Sequence, residues 1–208
     1  LTAKKEGLSI AFREGDARKL PYENDAFDVV MILGNSFGYF DNINDDVMAL
    51  KEVFRILKPW GRILIDVADG QYLRDNYTSS TWEWINDKYF VCRERSLSLD
   101  NQCLISREVI TQTEKGVIAD QFYSERLYSR ELLQSLLAGV GYSEVVYHGE
   151  ILTESMRNQD LGMMERRIIY TGVSRKNWTI KKSKSQKQQK SVAVVMGDPR
   201  KPDPLKPM

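Results

Sequence analysis

A carboxylate at the end of a β-strand, followed by backbone N–H groups, can hold the edge of a purine. The carboxylate accepts from an exocyclic amine and an N–H meets a ring nitrogen. Gly15-Asp16-Ala17 has this form, and ligands of open α/β sheets sit at the carboxyl ends of the strands. The same residues also suit a turn capped by Asp16, and spacing alone does not separate the two. A second stretch, Gly34-Asn35-Ser36-Phe37-Gly38-Tyr39-Phe40, carries two glycines that let backbone approach a ligand closely. Its rings either wall a pocket for an amine or a sulfonium by cation–π attraction or cap the core.

Other reactive groups are sparse. His148 is the only histidine, which excludes chemistry needing a His cluster; it stands near a strand end without a carboxylate pattern beside it. Cys92 and Cys103 fall on predicted hairpin strands as buried thiols and supply neither a disulfide framework nor a zinc set. Asp66, Asp69 and Asp100 lack a metal-ligand spacing. No P-loop, nucleophile elbow or catalytic triad is present.

The elements that position these groups follow from periodicity. Leu8 to Phe12 alternates like a half-buried strand. Phe27 to Leu33 is a nearly continuous apolar run, the pattern of a strand buried on both faces of a parallel sheet. Val47, Leu50, Val53, Phe54 and Leu57 fall at helical spacing after the capping residues 41–46, and Lys58-Pro59-Trp60-Gly61 stops that helix. Arg62 to Val67 is a third strand, so 27–67 is a strand–helix–strand unit of a parallel sheet. Residues 82–127 alternate in segments separated by turns, an antiparallel meander. A helix over 132–137 follows Ser129, and strands at 145–147 and 168–173 flank a polar loop, 149–166.

The chain has 208 residues with an ordinary globular composition and no apolar run long enough to cross a membrane. Of 30 Lys and Arg and 29 Asp and Glu, ten and two lie in 175–208, leaving a body, 1–174, of net charge −7. An acidic body argues against a nucleic-acid surface. The tail divides into a basic flexible linker, 175–190, and an apolar strand, Ser191-Val-Ala-Val-Val-Met-Gly197, that heads a candidate second domain, 191–208. The cysteine usage fits a cytoplasmic setting.

Three segments in order, Gly15 to Val30, Asn35 to Phe40 and Leu50 to Asp66, resemble the middle and later motifs of class I S-adenosylmethionine-dependent methyltransferases of the small-molecule type. The resemblance covers about 1–174. It implies an α/β, Rossmann-like methyltransferase sheet lacking its first strands, with a small antiparallel insertion after the fifth strand. Asp16 would accept from the adenine amino group and the Ala17 N–H would meet the ring. Leu33, Gly34 and Asn35 would line the methionine side, and Phe37 and Tyr39 would face the methyl. Trp60 stands where the family's Lys-Pro-Gly-Gly turn has glycine. The family's Gly-rich first motif and second strand have no counterpart, so the chain reads as an N-terminally truncated, inactive fragment.

The implied reaction is methyl transfer from S-adenosylmethionine to a nitrogen or oxygen of a small molecule. Tyr39, Tyr123 and His148 are unranked candidates to collect a proton, and 82–127 would roof the acceptor site over the edge that holds Asp16 and Gly34. In the family's strand order, 3-2-1-4-5-7-6, two absent strands separate Leu8–Arg13 from Phe27–Leu33. Leu8–Arg13 must then pair directly with Phe27–Leu33, pair with another molecule, or hang free. Residues 191–197 resemble the opening strand of D-alanine–D-alanine ligase-like domains, which implies a fused ligase-like partner. The alternative is a non-catalytic Rossmann-like module that scaffolds or regulates such a domain.

Overall fold

β-Branched and long apolar side chains in a nearly continuous run favour extended backbone buried on both sides. In the computed structural model, which describes residues 5–7, 10–152, 162–176 and 191–195, the run so composed is β1, Phe27–Ile32. Asn42 caps α1, Ile43–Ile56, its side chain accepting from the Asn44 N–H at 2.9 Å. Ala49, Leu50, Val53 and Ile56 are its buried stripe. Asp45 and Asp46 lie in its first turn and Arg55 in its last, as the helix dipole favours. Lys176 Nζ closes the far end, donating to the carbonyls of Arg55, at 2.8 Å, and Leu57.

β2, Leu57–Ala68, runs parallel to β1, with Val29 opposite Arg62 and Ile32 opposite Ile65. Its start is irregular: Trp60 adopts φ +66°, the left-handed conformation that glycine takes without strain. Tryptophan therefore holds this conformation at a cost in backbone strain. A Cβ on Gly61 would meet the Lys58 carbonyl at 2.9 Å.

Asp69 then caps α2, Gly70–Asn76, accepting from the Gln71 and Tyr72 N–H groups at 3.2 Å. This helix is absent from the sequence expectations, although Asp before a helical turn is ordinary capping chemistry.

β3 (Ser80–Trp84), β4 (Tyr89–Leu97), β5 (Cys103–Gln112) and β6 (Gly116–Arg126) form a four-stranded antiparallel sheet in chain order, the meander expected from alternation. Trp82 and Trp84 share one face with Phe90, their ring centroids 5.7 and 5.1 Å from its own. The opposite face buries ions in pairs: Arg93 donates to Glu83 at 2.5 Å and to Glu108 at 2.7 Å.

Ser129 caps α3, Arg130–Val140, which ends at Gly141 with φ +117°. β7 (Tyr142–Leu152) and β8 (Arg166–Ser174) are antiparallel, and β8 joins β2. Both run further into 149–166 than polarity suggests; 153–161 lie outside the described residues. α1 and α3 pack on each other and on the sheet, burying Leu50, Val53, Leu133 and Leu137 against Ile63, Ile65 and Tyr142.

The larger sheet has the order β7-β8-β2-β1-β9. β9, Val192–Val195, lies parallel beside β1 with Val29 opposite Val192 and Ile32 opposite Val195. The apolar strand that the pattern set at the head of a second domain thus sits in the main sheet. The strand expected over 8–13 is not found: 10–13 carry no regular structure and Phe12 is 77% exposed, while residues 8 and 9 are outside the described residues. An alternating segment becomes a strand only where a sheet edge receives it, and β9 holds the edge beside β1.

Two outcomes follow from this packing. A Cβ on Gly70 would fall 2.5 Å from the Leu127 carbonyl carbon and 2.6 Å from the Tyr128 nitrogen. Gly70→Ala should therefore cost roughly 1–3 kcal/mol, read from urea unfolding; an unchanged midpoint would contradict the close approach. The second concerns Asp28. Partial burial alone would raise its pKa, but hydrogen bonds from Lys58 and from the backbone and side chain of Ser191 hold it down to about 2. Because the folded value lies below the unfolded one, this stabilisation is present above about pH 4 and is lost as pH falls toward 2. The stability gap between wild type and Asp28→Asn should close over that window; a gap independent of pH would refute the assignment.

Candidate functional site

The carboxyl end of β1 opens into Leu33-Gly34-Asn35, and the chain turns there through two left-handed residues, Gly34 at φ +63° and Asn35 at +58°. Gly34 faces open space, since a Cβ on it would meet no atom within 4 Å. Asn35 is 3% exposed. Such a backbone is disfavoured for a residue with a side chain by roughly 1–2 kcal/mol, though Asn tolerates it best. Here the amide group explains its retention. Asn35 Oδ1 accepts from the Ala68 N–H at 2.8 Å, and Nδ2 donates to Glu125 Oε1 at 2.6 Å and to the Tyr39 hydroxyl at 3.1 Å. One side chain therefore joins the ends of β1, β2 and β6.

Around it the backbone is equally engaged. The Gly34 N–H donates to Asp66 Oδ2 at 3.2 Å and the Asn35 N–H to the Asp66 carbonyl at 3.1 Å. Asp66 is buried and paired with Arg167. The Ser36 hydroxyl donates to the Leu33 carbonyl.

A second buried acid lies just behind. Asp46, fully buried in the first turn of α1, accepts from the Tyr128 hydroxyl at 2.7 Å and from Arg126 Nε at 3.1 Å. Burial pushes its carboxyl above the ordinary range, against those two donors. Burial, then the Asp46 charge, pushes the Tyr128 phenol up as well, so it remains a donor. Arg126 also donates to the carbonyls of Phe40 and Asp41, and its N–H to the Gly38 carbonyl at 2.7 Å. The antiparallel sheet is thus fastened to the 34–41 loop at the carboxyl edge.

Arg18 brings the two stretches singled out from sequence together. It pairs with Asp16 at 2.7 Å and with Asp45 at 3.1 Å, and its guanidinium lies 4.8 Å from the Phe40 ring centroid. Asp16 is exposed and also accepts from the Arg18 N–H at 2.9 Å, an Asx-type turn; Ala17 follows it, half-buried. Leu33, Gly34, Asn35 and Tyr39 converge on one edge. Phe37 is in the core, its ring 5.3 Å from that of Tyr128.

Tyr123 lies on β6, on the face that carries Glu125; burial, then the nearby Glu108 charge, raises its pKa. His148 is set apart on β7, three strands from β1, with Nε2 2.6 Å from the Thr171 hydroxyl. Among the described residues no group of three or more His, Cys, Asp or Glu is placed to hold a metal ion. No helix among them is long and apolar enough to cross a membrane.

Glu125, Arg126, Tyr128 and Asp46 do not stand out in the sequence as site residues. Asp46 had a signal, since it lies four and seven residues before Leu50 and Val53 and so falls on the buried stripe. Glu125 stands close enough to Ser129 to be taken for part of the start of α3; it belongs to β6 and faces Asn35.

Residues 1–65 match the family described as Methyltransferase domain. Over 63 residues, 30% of this chain and 25% of the relative, the chain is 41% identical to the ubiquinone/menaquinone biosynthesis C-methyltransferase UbiE of Bdellovibrio bacteriovorus. The matched stretch spans about a quarter of the length of such curated relatives. A solved S-adenosylmethionine-dependent methyltransferase from Clostridium acetobutylicum superposes with a TM-score of 0.62 at 17% identity, over 83% of this chain and 68% of that one. The sugar N-methyltransferase KedS8 from Streptoalloteichus gives 0.55 at 18%, over 84% and 67%. The fold is therefore the Rossmann-like methyltransferase fold, with a mixed sheet and an added antiparallel sheet.

Removing the Tyr128 hydroxyl would leave Asp46 with one donor fewer in a fully buried site. Tyr128→Phe should lower stability by about 1–3 kcal/mol. Urea unfolding monitored by circular dichroism measures it; a loss under a few tenths would mean that Asp46 is held by Arg126 alone.

Proposed function

We propose that the protein uses S-adenosylmethionine to methylate a nitrogen or oxygen of a small molecule, and that this chain carries the carboxyl-edge half of the cofactor site. The observation that carries the reading is the Leu33-Gly34-Asn35 turn: left-handed, open to space at Gly34, and braced from below by Asp66 and Glu125. A larger residue at 34 would fill the space that a ligand needs. Asp16 would accept from the adenine amino group, with the Ala17 N–H meeting the ring. Leu33, Gly34 and Asn35 would line the methionine side, with Phe37 backing the loop from the core.

When bound, the cofactor supplies a methyl group on a sulfonium, open to in-line displacement by a lone pair. The chain's part is to hold the two reactants in line, which is where most of the acceleration of such a step arises. The buried amide of Asn35 fixes the loop, and the β6 end clamped by Arg126 roofs the edge. Tyr39, against Asn35, and Tyr123, on the Glu125 face, are the hydroxyls we assign to contact the acceptor; Tyr123, its pKa raised by burial and then by the Glu108 charge, stays protonated at neutral pH and orients the acceptor as a hydrogen-bond donor, and the acceptor's proton leaves to solvent. The relatives include a C-methyltransferase and a sugar N-methyltransferase by their names. The small polar acceptor is favoured here by the polar inner face of the antiparallel sheet.

The test is calorimetric titration with S-adenosylmethionine, followed by transfer of a labelled methyl to amines, alcohols and phenols. Label recovered on carbon would overturn the nitrogen or oxygen assignment, and cofactor binding without transfer to any acceptor would favour the scaffolding module. Asp16→Ala should weaken cofactor binding about tenfold to a hundredfold, the loss of a hydrogen bond to a charged group of roughly 1.5–3 kcal/mol. Equal affinity in a folded variant would reject the adenine role.

A further inference from the structure

The cofactor site proposed above needs two stretches, 15–18 and 34–41, and they are held by different means. The Gly34 turn is braced from within by Asn35 and Asp66. The turn at Asp16 has no such interior: residues 10–16 carry no regular structure and Asp16 is exposed. α1 holds the chain just beyond it. The Leu20 N–H donates to Glu52 Oε2 at 2.9 Å, and Arg55 donates to the carbonyls of Leu20 and Tyr22 at 3.1 and 2.8 Å. The other hold is Arg18, and all three of its guanidinium nitrogens are engaged. Nε and Nη2 grip the two carboxylate oxygens of Asp16 at 3.0 and 2.7 Å. Nη1 reaches Asp45 Oδ2, in the first turn of α1, at 3.1 Å. The guanidinium carbon lies over the Phe40 ring, 4.8 Å from its centroid.

We propose that Arg18 is a positioning residue for S-adenosylmethionine: it fixes the plane of the Asp16 carboxylate and its place relative to the Gly34 turn, so that both ends of the cofactor meet ready-made partners. This role rests on that of Asp16 as the acceptor of the adenine amino group. A carboxylate on an exposed turn rotates freely about its side-chain bonds, and a ligand that needs one orientation must freeze it on binding. Here the freezing is done beforehand. The Arg18 N–H adds a further hydrogen bond to Asp16 Oδ1 at 2.9 Å, so one residue holds the carboxylate from its backbone and from its side chain. The planar fork matches a carboxylate in position and in orientation, which an ammonium group does not.

The same guanidinium spans the site. Phe40 and Asp45 belong to the segment that leaves the Gly34 turn and enters α1, and Asp46, next to Asp45, accepts from Arg126 at the end of β6. Adenine seat, methionine turn and roof therefore meet at one turn of α1. Asp16 and Asp45 share one cation, and without it their like charges would push the two stretches apart. Little folding stability is at stake: the Arg18 and Asp16 side chains are 37% and 46% exposed, and such surface bridges contribute close to nothing. The effect of Arg18 falls on ligand binding.

Titration calorimetry with S-adenosylmethionine on the 208-residue chain tests this. Arg18→Gln should weaken binding about three- to tenfold, the loss that arises when the ligand itself must order one side chain, while the urea midpoint stays that of wild type. Arg18→Lys keeps the charge and loses the fork, and should bind within about twofold of Arg18→Gln. Because Arg18 acts through the carboxylate, adding Arg18→Gln to Asp16→Ala should weaken binding by less than about twofold more. Wild-type affinity in Arg18→Gln, or full recovery in Arg18→Lys, overturns the proposal. So does an undiminished loss in the Asp16→Ala background, which would set Arg18 on the ligand itself, and so does a loss matched by a lowered urea midpoint, which would make Arg18 a structural residue. Asp16→Ala separates the two roles. Equal affinity in that variant, or no binding by the wild-type chain, rejects the adenine role and that of Arg18 with it; a loss there with none in Arg18→Gln overturns the role of Arg18 alone.

Discussion

Everything at the carboxyl edge hangs on the side-chain amide of Asn35. Its three hydrogen bonds reach β2 through Ala68, β6 through Glu125 and its own loop through Tyr39. An amide suits this place because it presents a donor pair and an acceptor in one plane. A carboxylate there would face Glu125 with a second negative charge, and an aliphatic side chain would leave the Ala68 N–H and Glu125 without this partner. The left-handed backbone at 34 and 35 is the conformational cost that these bonds offset. The loop that meets a ligand is thereby part of the interior.

The buried acid of α1 works to the same end. Asp46 at the first turn is favoured by the helix dipole, and the charge it would otherwise strand is met by Arg126 and Tyr128 from the end of the antiparallel sheet and just beyond it. Helix, loop and second sheet are thus joined by hydrogen-bonded ions as well as by the apolar contact of Phe37 with Tyr128. That suits an edge that has to remain polar and accessible on one side, and it leaves the apolar core to the α1–α3 layer over β2.

How much of this was legible in the sequence depends on whether an element carries its own reason to form. β1 is legible because Phe27 to Ile32 is apolar on both faces, α1 because Leu50 and Val53 keep helical spacing, and the meander because its strands pair with their neighbours in sequence. Gly34 and Asn35 are legible as a turn from composition. The segment 8–13 has a strand's alternation, yet its described residues, 10–13, pair with no strand, while residues 191–195 lie beside β1 in a pairing that nothing local announces. Glu125 and Arg126 look like the solvated end of a strand until the 34–41 loop is laid against them. Patterning sees periodicity; it does not see which charged residue will meet which side-chain amide 90 positions away.

The contact between Asp28 and Ser191 spans 163 residues, and this sets a clock. A chain made from its N-terminus at about 5–20 residues per second exposes β1 roughly ten to thirty seconds before its β9 partner exists. For that time the pairing of β1 with β9 is absent, in a nascent chain whose α1 and β2 have already emerged. Pairings of such large sequence separation form late and slowly. The order of synthesis therefore makes the β1–β9 pairing the last of the described sheet to form.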